Sequence, residues 1–192
     1  MQLKQKKWSN EHIFSFDSET FNFAYKDKSG AGDFDIPYEE FPLKSQVKIE
    51  QNDWLRNAGY IWCVIGALQI LYTLLNGEHA SSSGFWLFIG LLCLFAHYFT
   101  KVRYSVFQTG VANVFVIQDG RMHDKVIEEI KSRKKALLKS RYGEINSDNS
   151  IENEINKFKW LAEQQILTKT EADMKIAQLE FRHKAIDSRP VL

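Results

Sequence analysis

Two stretches of the chain carry no formal charge. From Asn57 to Gly77, 21 residues pass without Asp, Glu, Lys or Arg, and from His79 to Thr100 another 22 do so. Their apolar hearts are Tyr60–Leu75 and Phe85–Phe99. A bilayer core ~30 Å thick takes ~20 residues of helix, so the pattern predicts two spans, about 57–76 and 84–100, the second with little to spare. Helices apolar on every face would otherwise need a large protein core, more than the other ~150 residues can build. Trp62, Tyr72, Trp86 and Tyr98 lie near the window ends, as interfacial aromatics do.

Outside these windows the pattern changes to a period of two. Phe14/Phe16, Phe21/Phe23/Tyr25, Phe34/Ile36/Tyr38 and Val47/Ile49 read as half-buried strands, with Lys28-Ser29-Gly30-Ala31-Gly32 as a turn and Pro37 and Pro42 bounding the third. After the second window, Tyr104–Phe107 and Val111–Ile117 read as two more strands. Met122–Tyr142 then shows a helical stripe of Val126, Ile127, Ile130, Leu137, Leu138 and Tyr142, with Gly143 as a C-cap. A further helix is expected over Ile151–Gln165. Thr168-x-x-Glu171 is a capping box opening a last one through about Phe181.

Neither polar half is self-sufficient, because short strands need partners and a cover. The fold expected is therefore an α+β membrane protein. Residues 1–56 and 101–145 together form one small antiparallel β domain, interrupted by the hairpin at 57–100 and capped by the Met122–Tyr142 helix. A helix pair at 150–182 and a tail at 183–192 follow. The loop between the windows has no Lys or Arg, whereas Lys44, Lys48, Arg56, Lys101 and Arg103 flank them. Both termini are thus expected in the cytoplasm of a bacterial inner membrane. With 56 polar-rich residues ahead of the first window, that window is not expected to be a signal peptide.

Two resemblances enter here. Aromatic strands, a terminal VFVIQDG and a closing amphipathic helix resemble a bacterial pleckstrin-homology-like domain, over about 12–56 and 101–143. The segment from about Ile151 to Glu180 resembles the SHOCT module through Leu161, Ile166-Leu167-Thr168, Glu171 and Leu179. It departs at Gln165, where the family has Gly, and at Ala172, where it has an aromatic. The SHOCT resemblance implies oligomerisation, with Phe158, Leu161, Ile166, Leu167, Ile176 and Leu179 as the contact residues. Neither resemblance brings catalytic residues.

Composition alone conceals this organisation. The 192 residues are 44% hydrophobic and 26% charged, with a net charge of +1 and a mean hydropathy of −0.33. Those averages exclude a disordered chain, a disulfide scaffold and a strongly basic nucleic-acid binder. By segment, residues 1–56 carry −2 and residues 101–150 carry +4. The excess gathers in Lys131, Arg133, Lys134, Lys135, Lys139 and Arg141, with no acid between Ile130 and Gly143. Such a helix could hold anionic lipid, although a solvated face with cations toward its C-terminal end is the preferred reading.

Within the windows, Cys63 lies at a depth matching Cys93 and Gly66 at a depth matching Gly90, with Gly59 and Ala96 continuing the small stripes. Small residues let membrane helices approach closely, so Cys63/Gly66 is expected to face Gly90/Cys93. Gln69, near mid-membrane, marks an expected contact with another helix. His97 is read as structural, three residues from the cytoplasmic edge. His12, His79, His97, His123 and His183 share no metal or triad spacing, Gly30-Ala31-Gly32 is not at a helix N-terminus, and Asp33, Asp35, Asp17 and Glu19 read as turn carboxylates.

No cofactor and no nucleic-acid partner are expected. The function read from these features is a membrane-anchored, self-associating cytoplasmic interaction or scaffold module that binds lipid or a protein partner. An oligomeric effector or pore of a toxin, immunity or defence system is the alternative, and an enzyme is the least favoured.

Overall fold

The computed structural model describes residues 1–76 and 84–187. The expected outer loop and the last five residues of the tail lie outside the described residues. The chain is α+β, with two antiparallel sheets and five α-helices among those residues.

The first sheet has strands β1 (Gln2–Lys7), β2 (Asn10–Phe16), β3 (Thr20–Lys26) and β4 (Ala31–Pro37), in that order. Alternation buries Phe14, Phe16, Phe21, Phe23 and Ile36 on one face. A 3-10 turn, Tyr38–Glu40, closes that edge with Tyr38 and Phe41 in the core. The first strand was not anticipated, because QLKQKK offers one apolar residue. Its inward Gln5 does a strand's work instead: Gln5 Nε2 donates to Ile117 O (3.1 Å), and Ile117 N donates to Gln5 Oε1 (2.9 Å).

The second sheet is β5 (Gln46–Glu50), β6 (Val102–Gln108) and β7 (Asn113–Ile117). Between β5 and β6 run helices α1 (Asp53–Leu75) and α2 (Phe85–Phe99). Strand β5 nevertheless pairs with β6, Glu50 opposite Val102. Both ends of the helix pair therefore leave from one end of a single ladder. Strand β7 begins two residues later than the apolar run suggested, with Val111 exposed. Helix α3 (Gly120–Tyr142) covers the core through Val126 and Ile130.

Among the described residues one helix, α1, is long and apolar enough to cross a membrane; α2 has 15 residues and falls short of that length. The two pack against each other, but slid by three residues from the expected register. A Cβ on Gly66 would come within 2.7 Å of Leu87 Cα, and one on Gly90 within 2.6 Å of the Cys63 backbone nitrogen. Cys63 thus abuts Gly90 rather than pairing with Cys93. Gly59 meets Leu94 and the Gly90 carbonyl, and Ala96 is half-buried. Trp62 and Trp86 are not at separate edges: their rings stack 4.3 Å apart. Large aromatic rings in the helix–helix seam set a register that counting small residues misses.

The C-terminal helices are α4 (Ile151–Glu163) and α5 (Lys169–Asp187), the latter longer than expected. Phe158, Leu161, Ile166, Leu167 and Leu179 are buried against Leu138 of α3, with Ile176 packed beside them. The expected oligomerisation residues therefore form a core within their own chain. Trp160 stays partly exposed, edge-on to Tyr142.

Candidate functional site

A cleft of about 750 Å³ opens where the sheets meet the helix pair. Five separate parts of the chain build it. The β1–β2 turn supplies Trp8, the β3–β4 turn Lys28 and the end of β5 Glu50. The start of α1 supplies Asp53, and Thr100 and Val102 follow α2. Lys7 and Asn10 close a two-residue turn in which Trp8 takes φ +55. Such turns favour Asn or Gly, since a side chain is strained at positive φ. Here a tryptophan holds the position and is 60% exposed, adding nothing to the core.

Glu50 joins the cleft to a smaller recess of about 40 Å³, lined by His12, Tyr25, Lys48, Tyr104 and Phe115. Tyr104 donates its hydroxyl to Glu50 Oε2 (2.8 Å) and accepts from Asn10 Nδ2. Burial, then the Glu50 carboxylate, pushes the Tyr104 hydroxyl well above its ordinary range, so it remains a donor. His12 stacks on Tyr104 and meets Phe23 edge-on. Its Nδ1 has no hydrogen-bond partner among the described residues, and burial holds its pKa below the ordinary 6.5. Sequence reasoning gave none of these residues a role in a site: Tyr25 and Tyr104 were read as strand, Lys28 as turn, Lys48 as a flanking cation, and His12 as lacking metal or triad spacing. The signal that could have found them is Trp8, a large aromatic in a polar turn.

The basic stretch is largely consumed inside the protein. Lys134 is only 4% exposed, and its ammonium donates to Glu39 O (3.1 Å), Phe41 O (2.7 Å) and Gln164 Oε1 (3.4 Å). It cannot serve a lipid patch, and desolvation lowers its pKa. Arg133 is paired with Glu129, Arg141 with Glu19 and Glu39, and Lys139 with Glu171. Lys131 and Lys135 carry no ion pair among the described residues. They line a second cleft of about 480 Å³ beside Asp124, Glu128 and Gln165.

His97 Nδ1 donates to the carbonyl of Asn52 (2.9 Å), tying the end of α2 to the N-cap of α1. Gln69 faces outward from the helix pair. Asp33 and Asp35 both accept from Asn22 on the neighbouring strand, as strand rather than turn residues.

One arrangement departs from the expected lack of triad geometry. Ser105 Oγ lies 2.8 Å from His123 Nε2, and His123 Nδ1 lies 2.8 Å from Asp124 Oδ1. Ser105 sits on β6 and His123 on the first turn of α3, a relation no local spacing reveals. The serine is 3% exposed, Gln118 also donates to its Oγ (3.0 Å), and none of the clefts above is lined by Ser105 or His123. A nucleophile must reach its substrate, so this relay fastens α3 to the sheet.

No protein family, curated protein or solved structure matches the chain.

Proposed function

We propose that the protein is a membrane-anchored cytoplasmic interaction module of the bacterial inner membrane, with α1 and α2 as a hairpin in the bilayer. The observation that carries this reading is the outer surface of the helix pair. Ile61, Val64, Leu68, Leu71, Phe88 and Phe95 are each more than half exposed. A continuous apolar surface of this kind is stable in lipid and a liability in water. Helix α1 reaches about 34 Å and α2 about 22 Å at 1.5 Å per residue. The shortfall of α2 is of a size that local bilayer thinning and its flanking residues absorb.

The sandwich supports the pleckstrin-homology-like resemblance: four strands, then three, then a closing helix. Gln165 supports the SHOCT resemblance, since its φ of +61 is the left-handed conformation that favours the glycine of that pattern. Self-association in this reading rests on the outward Gln69 in the membrane, since the C-terminal apolar residues are occupied within the chain.

The test is topology in intact bacterial cells expressing the full chain. The protein is expected to stay in the membrane after an alkaline carbonate wash. An impermeant maleimide should label Ser82→Cys from outside, and Asn149→Cys only after lysis. Release by the wash, or labelling of Asn149→Cys in intact cells, overturns the reading.

A further inference from the structure

We propose that the junction cleft binds a zwitterionic headgroup, an ammonium joined to a phosphate, as in an ethanolamine phospholipid. The proposal rests on the membrane-anchored reading for its source of ligand, and on the cleft itself for its chemistry. The cleft is bounded by Asp53 at the start of α1 and by Thr100 just after α2. With the helix pair in the bilayer, that is the depth of lipid headgroups.

The lining matches a molecule with both charges. Glu50 uses Oε2 for Tyr104 and Asn10, and Oε1 has no partner among the described residues. Trp8 adds an exposed indole at the rim, held there by the strained turn. A carboxylate and an indole lining one cleft suit an ammonium, through a charge-assisted hydrogen bond and cation–π attraction. Lys28, on the opposite turn, suits the phosphate. Asp53 is already paired with Arg56 (3.1 Å), which leaves Glu50 and Lys28 as the charges of opposite sign that line the cleft. An anionic headgroup without an ammonium would have Lys28 for its phosphate but no cation to satisfy Glu50. The cleft therefore selects against anionic lipid, the reverse of what the basic helix suggested.

Native mass spectrometry of the full chain in detergent tests this, titrating phosphatidylethanolamine, phosphatidylglycerol and free phosphoethanolamine. The ethanolamine lipid is expected to bind about tenfold more tightly than the glycerol lipid. Glu50→Gln keeps an acceptor for Tyr104 and should bring that ratio close to one. Trp8→Ala should weaken the ethanolamine lipid several-fold, and Lys28→Ala should weaken both lipids alike. Equal binding of the two lipids by the wild type, or a ratio unchanged in Glu50→Gln, overturns the proposal. Free phosphoethanolamine binding as tightly as the lipid keeps the chemistry and assigns the ligand to solution; much weaker binding assigns it to the bilayer. A chain released by carbonate that still binds free phosphoethanolamine would refute the anchor and leave the cleft standing.

Discussion

The sandwich and the helix pair draw on the same kinds of side chain and dispose of them in opposite ways. In the sheets, Phe14, Phe21, Phe23, Ile36, Val114 and Val116 have no exposed surface, and polar residues such as Ser15, Asn22 and Asp35 alternate with those of the first sheet. In the helix pair, glycines and half-buried side chains make the seam, while Leu, Ile, Val and Phe point outward. Inverting the pattern inverts the solvent each region is suited to. Water drives the aromatic core together. In the membrane-anchored reading lipid removes that drive, and close backbone approach at Gly66 and Gly90 holds the helices.

The largest effect that separates the two regions is a matched truncation. Phe23→Ala removes a ring packed on His12, Phe14 and Tyr25, and should cost about 3–5 kcal/mol by thermal unfolding in detergent. Leu68→Ala, on the outer surface of α1, should change stability by less than about 0.5 kcal/mol in the same measurement. Comparable losses at both positions would mean that a protein partner, rather than lipid, covers the helices.

A second comparison lies within α3. Lys134→Ala leaves the Glu39 and Phe41 carbonyls without their buried donor, at a cost of about 2–3 kcal/mol. Lys135→Ala, one residue further along, should be nearly neutral. Melting curves of the two variants check this. Equal effects would return Lys134 to the solvated face where its sequence context placed it.

That lysine shows why part of the molecule was legible and part was not. Unbroken apolar runs mark α1 and α2, and apolar periodicity marks α3 and strands β2 to β4, because burial and period follow from the residues alone; β5 keeps the period without the expected half-burial, since Val47 and Ile49 are exposed. The capping box is legible for the same reason: Glu171 N donates to Thr168 Oγ1 (3.1 Å), and Thr168 N to Glu171 Oε2 (2.7 Å). Thr168 N and Thr168 Oγ1 (3.0 Å) both donate to that carboxyl and, with Lys139 beside it, hold its pKa at about 2. Where a polar residue occupies an apolar position, the pattern fails. Gln5 acts as backbone, Lys134 caps carbonyls, and Glu154 is buried between Lys157 and Asn149. The junction cleft was invisible for a different reason, since its residues come from five parts of the chain and only the fold joins them.

The smallest effect probes the boundary between the two regions, where His12 sits behind Glu50. Burial lowers its pKa from 6.5, with a backbone hydrogen bond at Phe115, then Asp27 and Glu50, pulling the other way and Lys48 also lining the recess. Above pH 6.5 the ring is neutral whether the chain is folded or not, and contributes no pH dependence. Below it, the unfolded chain takes up a proton that the folded one resists, so stability falls as the solution is acidified toward the folded-state pKa. The slope from this one group is at most about 1.4 kcal/mol per pH unit. His12→Phe keeps a ring between Tyr104 and Phe23 and removes the titration. Its unfolding free energy should therefore decline less steeply than that of the wild type just below pH 6.5. Parallel curves would place the acid sensitivity elsewhere and show that the recess admits water to Nδ1.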